Sequence, residues 1–187
     1  MCEIQPHVLS SRFSTETWAE NESYRMRRNL TGCIYGCPLR ISHKIHINAF
    51  VYVIEMNNST NHIEGVGVIR NYANIDQPPW IYTNNNYNRY IYKGEYRMDR
   101  EAIVRYDPDL VEIIENICFK GKTHLKRGSG LTLVPTKLLT PKHASNTTNN
   151  THTTIRTSNI ACDIQNVFRL HFRGIDDISK INEPSNV

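Results

Sequence analysis

The sequence predicts an α+β fold: a small curved or partly closed mixed β-barrel flanked by helices. The first observation is the segment 50–71, FVYVIEMNNSTNHIEGVGVIRN, in which two β-branched runs are separated by turn-forming Asn, Ser and Thr residues. The second is that Gly65 and Gly67 share one face of the second run, where missing side chains let another segment or a ligand approach closely. The third is the order of elements, because helical patterns both precede and follow the strands.

Length and composition indicate one intracellular domain. The chain of 187 residues is long enough to bury a core, and no run is long and apolar enough to span a bilayer. The N-terminus lacks the apolar stretch of a signal peptide, and the five cysteines are irregularly spaced, which favours reduced thiols in the cytoplasm or nucleus. The Asn-, Ile-, Tyr- and Lys-rich composition is typical of AT-rich genomes such as those of large DNA viruses, which would place the protein in a host cell.

The first part of the chain predicts an extended arm, a helix and strands. Residues 1–13 form the arm. Residues 14–29 form a helix, with a possible capping box at Thr17 and Glu20 and with acidic residues preceding basic ones. A short strand or turn is predicted at 32–38 (GCIYGCP), and one or two strands at 40–50 (RISHKIHINAF) lead into the hairpin.

The second part predicts an aromatic loop, two short strands, a helix and a basic loop. The aromatic loop holds Trp80, and the two tyrosine-rich strands after it break at Gly94. The clearest helix has Asp107 as its N-cap and Pro108 in its first turn, and it ends at Gly121. The resulting segments are 1–13 (arm), 14–139 (domain), 140–159 (flexible low-complexity insertion) and 160–187 (a C-terminal helix or strand with a tail).

The net charge of +4 is concentrated in two clusters, one early and one late in the chain. Two basic clusters in an otherwise balanced chain point to a polyanionic partner, most simply nucleic acid. The alternative is that both clusters are solvated surface. The residues predicted to bind phosphates are Arg25, Arg28, Lys120, Lys122, Lys126 and Arg127.

The sequence offers weak metal ligands and no catalytic motif. Cysteine and histidine are the residue types that zinc prefers, but their spacing here matches no common zinc finger, so we expect no metal site. The weak candidates are Cys33, Cys37, His43 and His46. Because the chain contains no nucleophile elbow, P-loop or dinucleotide fingerprint, we expect no cofactor and no enzymatic activity.

Four segments of the chain resemble successive parts of YTH domains. They are 14–38 (STETWAENESYRMRRNLTGCIYGCP), 51–69 (VYVIEMNNSTNHIEGVGVI), 80–98 (WIYTNNNYNRYIYKGEYRM) and 127–139 (RGSGLTLVPTKLL). The resemblance covers residues 14–139 and extends to the broader PUA-like superfamily, which also includes EVE domains. It implies a PUA-like fold that recognises a modified base, of the N6-methyladenine type, in RNA.

The resemblance also implies which residues form the base pocket. Trp80 corresponds to one wall, and Tyr35 or Ile34 stands where the family has its other tryptophan. Asn21 corresponds to a helix asparagine that contacts the base. The pocket would therefore hold one tryptophan and at most one tyrosine, and each aromatic platform contributes roughly 1–3 kcal/mol to an unstacked base. The plain alternative is that Trp80 caps the barrel.

Three hypotheses follow from these observations. The first is a nucleic-acid-binding module, with RNA as the expected partner. The second is a non-catalytic viral interaction or virion-associated scaffold, which predicts an exposed apolar patch and no ligand pocket near Trp80. The third is a nuclease or base-modifying enzyme, which predicts acidic residues or a metal in the cleft.

Overall fold

The computed structural model describes residues 6–76, 78–140 and 158–173, which form seven strands and four α-helices. Predictions for the rest, which include most of the low-complexity insertion and the tail, lie outside the described residues. The strands are β1 (His7–Phe13), β2 (Cys33–Cys37), β3 (Phe50–Asn57), β4 (His62–Arg70), β5 (Tyr90–Gly94), β6 (Tyr96–Asp99) and β7 (Thr132–Leu133). The helices are α1 (Thr15–Arg27), α2 (Arg100–Tyr106), α3 (Pro108–Phe119) and α4 (Ile160–His171).

A five-stranded sheet forms the centre of the fold, in the order β6-β4-β3-β1-β7. β1 runs parallel to β3, and the other neighbouring strands are antiparallel. The segment predicted as a separate N-terminal arm is extended, but residues 7–13 lie inside the sheet, where Leu9 pairs with Val53. Two serines and Arg12 interrupt the apolar pattern of this strand, which is why the sequence does not mark it as buried.

The predicted hairpin is confirmed: β3 and β4 pair as antiparallel neighbours around a turn at residues 58–61. The approach predicted at the two glycines is made by β6 at Gly65, through the Met98 carbonyl and Arg97, and by β2 at Gly67. A Cβ at Gly67 would lie 2.2 Å from the Tyr35 hydroxyl oxygen and 2.6 Å from Cys33 Sγ. Only a residue without a side chain fits between these two groups.

A second, two-stranded sheet of β2 and β5 packs against β4. The predicted break at Gly94 is confirmed, because the chain leaves β5 there and continues through Glu95 into β6, an edge strand of the large sheet. The α+β class is confirmed. Barrel closure is not, because in the described residues β6 and β7 stay at opposite edges of the large sheet.

The large sheet separates two apolar cores. Along β3, Tyr52, Ile54 and Met56 face one core, whereas Val51 and Val53 face the other, as the two-residue period of a strand requires. Helices α2, α3 and α4 cover the first face. Helix α1 and the small sheet cover the second face, and the recesses described below lie on that side.

The predicted helices are confirmed, with one change at a start. The capping box of α1 is formed by Ser14 and Thr17, one turn before the predicted pair, because the Glu20 carboxylate instead accepts hydrogen bonds from Thr83. Asp107 caps α3 as predicted. None of the helices in the described ranges combines the length and the apolar character that a membrane crossing requires.

Residues 40–49 form turns rather than the predicted strands. Ile41 and Ile45 are buried, so they anchor a loop on the core. The Asn71 side-chain amide donates to the Ile45 carbonyl at 2.8 Å, and the backbone of Asn48 is left-handed, with φ of 65°. A loop anchored at regularly spaced isoleucines produces the same sequence alternation as a strand.

Candidate functional site

A small pocket of about 250 Å³ opens at the N-terminal end of α1. We call it the Arg12 pocket. Its lining includes Arg12, Thr17, Gly36, Asn58, Tyr82, Tyr87, Gly128 and Gly130. The pocket therefore joins the ends of β1 and α1, strand β2, the hairpin turn, the aromatic loop and the basic loop. The sequence singles out most of these segments separately, and the fold brings them together.

Arg12 gives this pocket a charged group with an unused donor. Its Nε donates to the Leu125 carbonyl, and its Nη2 donates to Thr132 Oγ1 at 2.7 Å. Its Nη1 is buried and has no hydrogen-bond partner among the described residues. Burial lowers the pKa of Arg12, while Cys118 raises it, but a guanidinium stays protonated in proteins. Arg12 therefore brings a buried positive charge with one unpaired N–H group to the wall of this pocket.

Asn58 gives the same pocket an unused acceptor. Its backbone N–H donates to the Phe13 carbonyl at 2.8 Å, and its side-chain amide donates to the Lys126 carbonyl at 3.1 Å. Its Oδ1 is buried and, within the described ranges, accepts no hydrogen bond. Buried polar atoms are nearly always paired, so an unpaired donor and an unpaired acceptor on two residues of one pocket mark it as the candidate place for a ligand or ordered water.

The walls of the Arg12 pocket are aromatic and small. Tyr82 is buried, and its ring meets Tyr87 edge-on, with ring centroids 6.1 Å apart. Burial raises the pKa of Tyr82, so its hydroxyl stays neutral. Gly128 has φ of +101°, a conformation that L side chains rarely adopt, and a Cβ there would lie 3.8 Å from Arg12 Cζ. The backbone of the basic loop thus comes close to the guanidinium.

The four residues predicted to form the base pocket do not converge. Trp80 is 66% exposed, and its role remains a prediction. Tyr35 is buried under the large sheet and donates to Glu55 at 2.8 Å, so no face of its ring is open to a base. Ile34 lines a different recess. Asn21 is buried between α1, β2 and the aromatic loop.

Asn21 holds three elements together. Its amide nitrogen donates to the Ile34 carbonyl at 2.7 Å and to the Tyr82 hydroxyl at 2.9 Å, and its carbonyl oxygen accepts from Arg25 at 3.0 Å. We expect Asn21→Ala to lower the free energy of unfolding by about 1–3 kcal/mol, because buried acceptors lose their donor. Urea denaturation measures this change.

The matched control is Asn86→Ala, at an exposed asparagine of the aromatic loop, which should stay within about 0.5 kcal/mol of the parent. If the Asn21 variant keeps its stability but loses ligand binding, the result would instead support the direct contact between Asn21 and the base that the YTH resemblance implies.

The predicted phosphate-binding residues lie in two places. Lys120, Lys122 and Arg127 are exposed in or beside the basic loop, whose Gly128 and Gly130 line the Arg12 pocket. Their neighbour Lys126 donates to Asn61 at 2.6 Å, which ties this loop to the hairpin turn. The early pair lies elsewhere. Arg25 stacks over the Trp18 ring at 5.2 Å, and Arg28 lines a second recess at the other end of α1.

This second recess is a groove of about 810 Å³ between the small sheet and the large one. We call it the β5 groove. Its charged lining residues are Arg28, Arg70, Lys93 and Glu95, and its aromatic ones are Tyr24, Phe50, Tyr72 and Tyr96. Arg70 lies over the Phe50 ring at 3.9 Å from its centroid and donates to the Asn48 carbonyl. Across both recesses, Glu95 supplies the one carboxylate among the described lining residues.

The weak metal candidates stay apart. Cys33 and Cys37 are buried at opposite ends of β2, and burial raises their thiol pKa to about 12 and about 11. His43 and His46 are exposed in the loop that follows. Among the described residues, no group of three or more metal-ligating side chains is found.

The sequence analysis missed Arg12 and Asn58. Both belong to segments that were interpreted as plain structure, an arm and a turn. One signal could have found Arg12. It is a charged residue among the apolar side chains of a short extended segment, HVLSSRF. Asn58 carries no such signal in a block of Asn, Ser and Thr.

Comparisons with protein-family models, with curated proteins and with solved structures found no match. The resemblance to YTH domains therefore rests on the sequence segments alone.

Proposed function

We propose that this chain is a nucleic-acid-binding module that takes one unstacked base of single-stranded RNA into the Arg12 pocket. The observation that carries the proposal is a pocket lined by Arg12, whose buried Nη1 has no hydrogen-bond partner among the described residues, and by no carboxylate within that described lining. A cation without an ion-pair partner favours a partner that is anionic or rich in acceptors. Nucleic acid has both properties.

The chemistry of a base edge fits the unpaired atoms. Single-stranded RNA is recognised by unstacked bases whose edges hydrogen-bond to protein groups and whose faces meet aromatic rings. Arg12 supplies a donor, Asn58 supplies an acceptor, and Tyr87 supplies a partly exposed ring. The basic loop supplies Gly128 and Gly130 to the pocket lining, and its exposed cations are the proposed contacts to the flanking phosphates.

The size of the pocket limits the ligand. Pockets for drug-sized molecules occupy about 300–1,000 Å³. The Arg12 pocket, at about 250 Å³, falls just under that range, which suits a single ring system better than a nucleotide chain.

Recognition of a modified base is the finer form of the proposal. A methyl group on the base needs an apolar wall, and here Phe13, Tyr82 and Tyr87 supply apolar surface in place of the tryptophan pair that the YTH resemblance implies. The direct connection from β5 of the small sheet into β6 of the large sheet supports a PUA-like arrangement of the strands.

Fluorescence anisotropy with a labelled seven-nucleotide RNA tests the proposal. With two to three phosphate contacts, raising the salt concentration from 50 to 200 mM should weaken binding roughly tenfold. A buried methyl group is worth about 0.8 kcal/mol, so an N6-methyladenine at the centre should bind about fourfold more tightly if the pocket reads that group. Salt-dependent binding without methyl preference would retain nucleic acid and discard the reader. No binding at 50 mM salt would contradict the proposal.

A protein partner is the second candidate function. Large apolar side chains are exposed in two loops, at Leu39, Ile47 and Trp80, with exposed fractions of 65%, 75% and 66%. Such side chains suit a protein interface. The scaffold hypothesis takes precedence if RNA does not bind and if sedimentation shows that the chain self-associates through these three side chains.

A further inference from the structure

Three elements connect the Arg12 pocket with the β5 groove. On α1, Thr17 lines the pocket and Tyr24 lines the groove. On β2, Gly36 lines the pocket, and Ile34, on the same face of the strand, lines the groove. In the aromatic loop, Pro79 lines the groove and Tyr82, three residues later, lines the pocket. The two recesses are therefore neighbours on one side of the molecule.

The chain geometry sets the distance between the recesses. Seven residues of α-helix from Thr17 to Tyr24 span about 10 Å at ~1.5 Å per residue. Two residues of β2 span about 7 Å at ~3.3 Å per residue. The three steps from Pro79, which lines the groove, to Tyr82, which lines the pocket, span at most about 11 Å. A separation of roughly 10 Å equals about three stacked base steps of ~3.4 Å.

Trp80 lies in the segment that bridges this distance. Pro79 lines the groove, and Ile81 and Tyr82 are buried, which leaves the Trp80 ring as the exposed side chain of the bridge, with 66% of its surface accessible. An exposed indole supported by buried neighbours is a suitable platform for a stacked base. This position also explains why the ring is not part of the pocket wall.

The β5 groove has the composition of a phosphate-binding channel. Three cations face one carboxylate, and Arg70 is held in place by its stacking on Phe50 and its hydrogen bond to the Asn48 carbonyl. Tyr72, at the rim, is 68% exposed. At about 810 Å³ the groove exceeds the pocket threefold, so it has room for several linked units rather than one ring.

We propose that a single RNA strand which places a base in the Arg12 pocket continues across Trp80 and lays its sugar-phosphate chain in the β5 groove, on Arg70 and Lys93. This inference rests on the proposed function, and it adds a second contact region with its own residues. It predicts that affinity depends on strand length, because a short strand fills the pocket and only a longer strand reaches the groove.

The experiment compares a trinucleotide with a decanucleotide on the parent and on three variants. Arg70→Gln/Lys93→Gln removes two groove cations, and Trp80→Ala removes the platform. Arg105→Gln/Lys137→Gln is the matched control, because it removes two exposed cations that line neither recess. Thermal unfolding of each variant, expected within a few degrees of the parent, shows that the fold is intact.

For the decanucleotide, we expect the groove variant to bind roughly tenfold more weakly and its salt slope to fall by about 1.4, the value for two phosphates on a single strand. Trp80→Ala should also weaken binding of the decanucleotide about tenfold. For the trinucleotide, all variants should stay within twofold of the parent.

Two results would overturn the inference in distinguishable ways. If the trinucleotide binds and the groove variant leaves the decanucleotide unchanged, the groove is not part of the binding surface, and the proposed function stands without it. If neither strand binds to the parent, the proposed function fails and the inference fails with it.

Discussion

Replacing Glu55 with alanine is expected to lower the free energy of unfolding by about 3–5 kcal/mol, because it leaves a charge buried without its partner. Glu55 is 1% exposed. Its carboxylate forms an ion pair with Arg97 at 2.8 Å and accepts the Tyr35 hydroxyl at 2.8 Å. Burial lowers the pKa of Arg97, but the facing carboxylate raises it above its ordinary value, so the guanidinium stays charged.

Two further variants check this account by urea denaturation. Arg97→Ala should be destabilising for the same reason, whereas Glu55→Met/Arg97→Met should recover part of the loss, since a buried ion pair can be replaced by apolar residues of similar volume. The network is structural, and it lines neither recess. A Glu55→Ala variant within about 1 kcal/mol of the parent would show that the pair is not buried as described.

Replacing Arg12 with methionine is expected to weaken RNA binding by about 10- to 150-fold. A hydrogen bond to a charged group is worth about 1.5–3 kcal/mol, and methionine removes both the charge and the free Nη1 donor from the pocket. The side chain's bonds to Leu125 and Thr132 are lost as well. Anisotropy titration of the trinucleotide measures the effect, and thermal unfolding separates it from loss of structure.

Two further variants make this prediction specific. Arg105→Met removes an exposed cation from α2, outside both recesses, and should leave affinity within twofold of the parent. Thr132→Val removes one anchor of the guanidinium without removing its charge, so it should weaken binding less than Arg12→Met does. Equal affinity of the Arg12 variant and the parent, with both folded, would remove Arg12 from the site.

The hairpin and the helix capped by Asp107 could be predicted from the sequence because both depend on local patterns. Two-residue alternation around turn formers marks the hairpin, and an N-cap followed by Pro108 marks the helix start. Residues 40–49 show where such patterns mislead. Buried isoleucines give the same spacing in a loop as in a strand, and the hydrogen bonds of Asn71 to this segment, from its side chain to Ile45 and from its backbone to Ala49, depend on the tertiary fold.

The candidate site could be predicted in its segments and not in its residues. The basic loop, the aromatic loop and the start of α1 were each singled out, yet Arg12 was not, because its role depends on β1 entering the middle of the sheet. Tyr35 was expected at a pocket wall. Gly67 opens a space on β4 that the Tyr35 ring fills from the opposite side, a pairing between distant segments that no local pattern records.

The most direct test of the central claim is an NMR titration of protein labelled with ¹⁵N-glycine. Of the nine glycines in the chain, Gly36, Gly128 and Gly130 line the Arg12 pocket. Gly67 is buried beneath Tyr35, and Gly121 has open space around it. With added trinucleotide, the three pocket amides should shift together with one dissociation constant, while Gly67 and Gly121 stay unchanged. Pocket amides that do not move while the RNA is bound would contradict the account.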